Sequence, residues 1–223
     1  MISVKIRKVD ALNQQEIHQV ETFYEKYGKR IFDITVALIL LIILFPFMLL
    51  VLLVLLITTG RPVFFTQTRT GIHHQQFMIW KLRTMEMRTV ANDLPIMNGN
   101  GIPDDYFFKT ASDARVTKIG AILRKLSIDE IPQLINVLKG SMSIVGPRPE
   151  VPIITNAYND LQAGRLDVKP GLTGLAQING RSDISHGQKI EYDLQYVGKS
   201  SLWLDIKIVV KTLHVVLART GAY

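Results

Sequence analysis

The feature that most constrains this chain is an unbroken run of 22 apolar residues at positions 36–57. At about 1.5 Å rise per residue, a helix of that length covers the roughly 30 Å hydrocarbon core of a bilayer. The run begins too late and extends too far for a cleaved signal peptide, so the reading is a retained membrane element. Pro46 stands at its middle, where it removes an intrahelical hydrogen bond and bends the helix. Two paths are open: a re-entrant hairpin whose halves dip in and return, or one kinked helix that crosses. Flanking charge favours the hairpin. Lys26, Lys29 and Arg30 precede the run and Arg61, Arg69, Lys81 and Arg83 follow it, whereas a crossing helix concentrates positive charge on its cytoplasmic side. Both ends are expected at the cytoplasmic face of the membrane.

Around this element, 223 residues leave room for one compact core, at roughly 150 residues per domain. Leu12, Ile17, Val20, Phe23 and Tyr27 recur at helical spacing among polar residues, predicting an amphipathic helix on the bilayer or on the domain. Segments 63–67 and 76–83 are rich in β-branched and aromatic residues, with Gly71 between them, and predict a short β-hairpin that keeps Lys81 and Arg83 near the headgroups. Segment 90–103 is turn-rich and reads as a mobile loop, with helices resuming near Thr117. Leu202, Trp203, Ile206, Val209, Val210, Leu213, Val216 and Leu217 form one apolar stripe, with Lys207, Lys211 and Arg219 elsewhere; such a helix either rests on anionic lipid or packs on the core. The expected class is α+β and mostly helical, with a membrane part at 1–60 and a compact cytoplasmic domain at 61–223.

A net charge of +7 suits phosphate-bearing partners. The chain has no cysteine, which excludes a disulfide framework, a thiolate zinc site and a Cys nucleophile. No Walker-type or Rossmann glycine fingerprint is present. Aromatic residues lie in apolar stripes and do not interleave with basic ones, so a nucleic-acid partner is not expected. His73 and His74 sit side by side in a turn without a completing ligand, and Asp104 and Asp105 read as solvated loop residues.

The densest chemical constellation is Arg124, Lys125, Ser127, Asp129, Glu130 and Pro132, followed by Gly146-Pro147-Arg148-Pro149. Ser127 and Glu130 match a capping box, so the acidic pair is a candidate start for a helix through Leu138. As chemistry, a carboxylate at a helix N-terminus shares a positive pocket with an approaching phosphate. Adjacent helical residues point about 100° apart, which suits one attacking and one supporting carboxylate better than a facing acid–base pair. Arg148 presents a planar fork on a stiff turn, matched to two phosphate oxygens, or else is a solvated loop residue. Lys169-Pro170-Gly171-Leu172-Thr173-Gly174 and Gln177-Ile178-Asn179-Gly180-Arg181 line a nucleotide or sugar site, or turn a corner.

Taken together, these motifs resemble the small monotopic phosphoglycosyl transferases, bacterial sugar transferases that prime lipid-linked glycan assembly. The likeness runs from about Lys29 to Arg219 and rests on Lys29-Arg30-Ile31-Phe32-Asp33, Lys81-Leu82-Arg83-Thr84-Met85, residues 126–134, Val145-Gly146-Pro147-Arg148-Pro149 and Pro170-Gly171-Leu172-Thr173-Gly174. The resemblance implies a re-entrant helix hairpin kinked at Pro46 and transfer of a sugar 1-phosphate from a UDP-sugar to polyprenyl (undecaprenyl) phosphate. It also implies a Mg²⁺-dependent reaction through a covalent phosphosugar enzyme, as the priming step of exopolysaccharide, capsule or glycoconjugate synthesis. By the same resemblance Asp129 is the nucleophile that expels UMP, Glu130 handles metal or substrate beside it, and Lys81, Arg124 and Arg148 bind phosphate or substrate; Arg181, from the Gln177–Arg181 turn, is a further candidate for substrate binding. One departure is Phe45 where the family commonly has Ser before the membrane proline. A competing class is a membrane-anchored scaffold that binds anionic lipid of the inner membrane without turnover. Glucose, galactose and N-acetylated hexose donors fit the pattern equally, and it specifies no oligomeric state.

Overall fold

The computed structural model describes residues 22–86, 101–107, 113, 115–180 and 183–218. The amphipathic stretch at 12–20, most of the 90–103 loop, Arg181 and Arg219 lie outside the described residues. A π-helical turn at Tyr24–Gly28 leads into α1, Lys29–Thr59, which is helical through Pro46.

Both ends of α1 are fastened to one globular body. At its start, the Arg30 guanidinium donates to the carbonyls of Val137 and Leu138 at 2.6 and 2.7 Å, while Lys29 donates to Asp205 at 2.6 Å and to the Val145 carbonyl at 3.0 Å. Asp33 accepts from the Ile144 N–H and the Ser143 hydroxyl, both at 2.9 Å. At its end, Arg83 donates to the carbonyls of Thr59 and Gly60. Hydrogen bonds to charged groups contribute about 1.5–3 kcal/mol each, so neither attachment is incidental. Ala37 is buried in a core with Leu134, Val137, Tyr196 and Ile208, whereas Val51 and Leu55 are buried with Leu82 and Leu123. Between these anchors Ile42, Ile43, Phe45 and Phe47 are exposed.

Strands β1, Phe64–Thr70, and β2, Gln76–Leu82, form the expected antiparallel hairpin, with Phe65 opposite Lys81 and Thr70 opposite Gln76. The first strand runs beyond the predicted 63–67 because Thr66, Thr68 and Thr70 continue the β-branched pattern to the turn. His73 and His74 occupy that turn with φ of 49° and 60° and are exposed. Helix α2, Lys118–Lys125, begins where Thr117 accepts the Gly120 N–H at 2.9 Å.

The acidic segment departs from the expected capped helix. Ser127 adopts a left-handed conformation and makes no side-chain cap, and a 3₁₀ segment at Ile128–Gln133 precedes α3, Leu134–Lys139. Pro132 inside that segment lacks an N–H, which disfavours a continuous α-helical ladder, and the Glu130 side chain is drawn elsewhere. A second sheet, unforeseen from sequence, pairs β3, Ser143–Val145, in parallel with β4, Gly171–Thr173. Its approach is too close for side chains: a Cβ on Gly171 would lie 2.1 Å from the Gly146 nitrogen, and one on Gly174 2.2 Å from the Gly146 oxygen. The Pro170–Gly174 motif therefore serves to seat the Gly146-Pro147-Arg148 turn.

Helices α4, His186–Val197, and α5, Leu202–Ala218, close the body. The stripe expected along α5 largely faces outward, with Val209 packed partly on the core, and the residues α5 buries fully lie off that stripe. Asp205 and Ile208 are fully buried, whereas Leu202, Trp203, Ile206, Val210 and Leu213 face outward.

Candidate active site

Hairpin, 3₁₀ segment and β3 exit converge on one cluster. Strand β2 delivers Lys81, whose ammonium donates to Glu130 Oε1 at 2.8 Å. From the turn after β3, Arg148 donates to the same oxygen at 2.6 Å and to Oε2 at 3.3 Å. The Glu130 carboxylate is thus held by two cations. Burial works to raise its pKa, but the charges and hydrogen bonds of Arg148 and Lys81 outweigh burial and hold it well below the usual carboxylate range. In return, Glu130 keeps Arg148 firmly protonated.

Asp129 is in the opposite condition. It is 7% exposed, and among the described residues its carboxylate accepts no hydrogen bond and forms no ion pair. Burial raises its pKa first and the Glu130 charge adds to this, against the pull of Lys81, Arg148 and Arg124. A poorly solvated, unpaired carboxylate beside fixed cations is suited to nucleophilic attack on phosphorus. Arg124, on the last turn of α2, acts on Asp129 through its charge without direct contact. Arg148 is 46% exposed despite its ion pair, so part of its guanidinium faces outward.

Behind Arg148 lies a network that sequence reading missed. Arg165, 3% exposed, donates to the Arg148 carbonyl at 3.0 Å and to the Tyr158 hydroxyl at 2.7 Å, and pairs with Asp193 at 2.6 Å. Arg69 donates to the Pro149 carbonyl at 3.2 Å and approaches Glu150 at 3.9 Å. The turn carrying Arg148 is therefore held through its backbone from two sides. No local motif marks these residues, because their partners are distant in sequence; the one available signal is that an arginine buried in a compact domain needs a carboxylate.

Among the described residues no cluster of three or more His, Asp or Glu forms a metal cage. That donor set fits Mg²⁺ bound jointly with substrate, since Mg²⁺ is commonly held by one or two carboxylates, waters and phosphate oxygens. Asp129 is open to such a role, and Glu130 would do so only by sharing an oxygen now given to Lys81 and Arg148.

Residues 24–219 match the family model described as bacterial sugar transferase. The chain belongs to the bacterial sugar transferase family. As a bacterial sugar transferase it is an enzyme, and the cluster around Asp129 and Glu130 is its candidate catalytic centre. It is 45% identical to the uncharacterized sugar transferase EpsL of Bacillus subtilis, over 86% of this chain and 89% of that protein. To the exopolysaccharide production protein ExoY of Rhizobium meliloti it is 40% identical, over 88% of each chain. The undecaprenyl-phosphate galactose phosphotransferase of Salmonella typhimurium is 41% identical, over 89% of this chain but 42% of that longer protein. This bacterial sugar transferase therefore spans most of some relatives and under half of others.

Proposed function

We propose that this enzyme transfers a sugar 1-phosphate from a UDP-sugar to undecaprenyl phosphate, through a covalent phosphosugar on Asp129, as a priming step of exopolysaccharide synthesis. The observation that carries the reading is the contrast within the acidic pair: Asp129 buried and unpaired, Glu130 tied down by Lys81 and Arg148. Names of relatives supply the acceptor and the process, in the galactose phosphotransferase of Salmonella typhimurium and ExoY of Rhizobium meliloti.

In the first step an Asp129 oxygen attacks the phosphorus joined to the sugar. The bond from that phosphorus to the bridging oxygen breaks, and UMP leaves with the electron pair. In the second, a phosphate oxygen of the lipid attacks the same phosphorus and displaces Asp129, giving a polyprenyl diphosphate sugar and restoring the carboxylate. Splitting one displacement into two lets the donor leave before the acceptor arrives. The outward part of Arg148, with Lys81 and Arg124, offsets the charge of both substrates, and Glu130 keeps Lys81 and Arg148 in place between steps. Mg²⁺ held at Asp129 and Glu130 would neutralise diphosphate charge.

The re-entrant path of α1 is supported by its attachments. Arg30 and Arg83 tether opposite ends to one body, so only the segment near Pro46 can leave it for the bilayer. Exposing Ile42, Ile43, Phe45 and Phe47 to water would cost roughly 1.5–3 kcal/mol each, which lipid relieves. This arrangement keeps Asp129 at the cytoplasmic face, where a UDP-sugar is available.

The test is UMP release from the full chain with Mg²⁺, a UDP-sugar and undecaprenyl phosphate. Asp129→Asn should lose activity by at least about 10³-fold, the scale of removing a covalent nucleophile. Native turnover in the Asp129→Asn variant, or lipid binding by the native chain without any UMP release, would refute the reading.

A further inference from the structure

A groove of about 600 Å³ lies between the C-terminal half of α1 and the segment 61–64, lined by Leu52, Leu53, Leu56, Pro62, Val63 and Phe64, with Arg61 the one charged residue of its lining among the described residues. We propose that this groove seats the isoprenoid chain of the lipid phosphate acceptor, with Arg61 facing the charged end of the lipid; the inference rests on the proposed reaction and names where its second substrate lies.

Three observations favour that occupant over an arbitrary apolar partner. The wall shares its packing with the elements that carry the catalytic centre: Leu52 and Val63 pack in the same core as Ile128 and Leu82, the immediate neighbours of Asp129 and Lys81. Its membrane side is open, since Leu53 and Leu56 on α1 are 54% and 41% exposed, so a lipid enters sideways without leaving the bilayer. Arg61 is exposed and, among the described residues, its guanidinium has no partner. A basic group lining an otherwise apolar groove complements an amphiphile with an anionic head and an apolar tail. A nucleotide sugar fits the lining poorly, for it offers few partners to hydroxyls.

The covalent mechanism lets the two half-reactions be read separately. Leu56→Trp and Leu53→Trp fill the groove from the lipid side, and Arg61→Ala removes its charge. In nanodiscs, each variant should release the single-turnover burst of UMP in the absence of acceptor as the native enzyme does. Each should raise the KM for undecaprenyl phosphate about tenfold, equivalent to about 1.4 kcal/mol of lost binding. Ile43→Trp, exposed on α1 away from the groove, serves as control with native acceptor kinetics. Native acceptor KM in all three groove variants would overturn the proposal, whereas absence of the burst from the native enzyme would overturn the proposed function instead. An independent measurement uses unmutated protein: a polyprenyl phosphate bearing a photoreactive group in its chain should label the peptide spanning 52–64, and labelling confined to other segments would refute the groove whatever the variants do.

Discussion

Asp129 and Glu130 are neighbours in sequence, yet their surroundings push their proton affinities apart, and this separation has a measurable sign. Asp129 is raised by burial and then by Glu130, so the carboxylate proposed to attack is lost as pH falls through a value above the ordinary Asp figure of about 3.9. The UMP burst should decline on the acid side with that midpoint. Glu130→Gln removes the like charge and releases Lys81 and Arg148 to act on Asp129, so the acid limb should move to lower pH even as turnover drops; an upward move would contradict the assignment. Arg165 is a positioning residue, acting through the Arg148 carbonyl. Arg165→Met leaves Asp193 buried without its partner, a change that costs about 3–5 kcal/mol and should lower Tm on the order of 10 °C. A purely structural role would leave the remaining folded enzyme with native kinetics; positioning predicts a raised donor KM measured below the new Tm. Asp129, Glu130, Lys81, Arg124 and Arg148 were legible because local motifs surround them, whereas Arg165 and Asp193 were not, since a buried ion pair between distant segments leaves no local pattern.

Among the elements, α1 carries the strongest consequence. Its apolar length was plain from residues 36–57, but length alone serves a crossing helix and a re-entrant one equally well. The attachments at Arg30 and Arg83 come from contacts with α3 and from the end of β2, and no helical periodicity reports them. Because the chain contains no cysteine, Lys26→Cys and Lys199→Cys give single labelling sites near α1 and between α4 and α5. Both should react with an impermeant maleimide in inside-out vesicles and resist it in right-side-out cells; labelling from opposite faces would establish a crossing. The acidic segment teaches the converse lesson. Its capping pattern was real in sequence, but two cations competed for the Glu130 carboxylate, and charge-assisted hydrogen bonds are stronger than a neutral cap. The β3–β4 pair was invisible because each strand has three residues, too short for alternation to register, and depends on glycines that let two backbones meet.

At the scale of the molecule, α1 and the outward face of α5 together present Ile43, Phe45, Trp203, Val210 and Leu213, apolar surface that a water-exposed domain would have to hide. Membranes carrying the full chain should retain it through a 1 M salt wash, where the Debye length falls to about 3 Å and surface ion pairs are screened, and release it to detergent; release by salt alone would show a purely electrostatic attachment. The sequence by itself determined that the chain holds a long apolar run, a basic excess and an acidic pair bracketed by arginines, because run length, charge and short motifs are local properties. Only the tertiary structure decided which carboxylate is clamped and which is left unpaired among the described residues, that both ends of α1 are fastened to one body, and that Arg165 holds the turn beneath Arg148. Each of these is set by packing between distant segments, where burial makes a single missing partner costly and so fixes one arrangement.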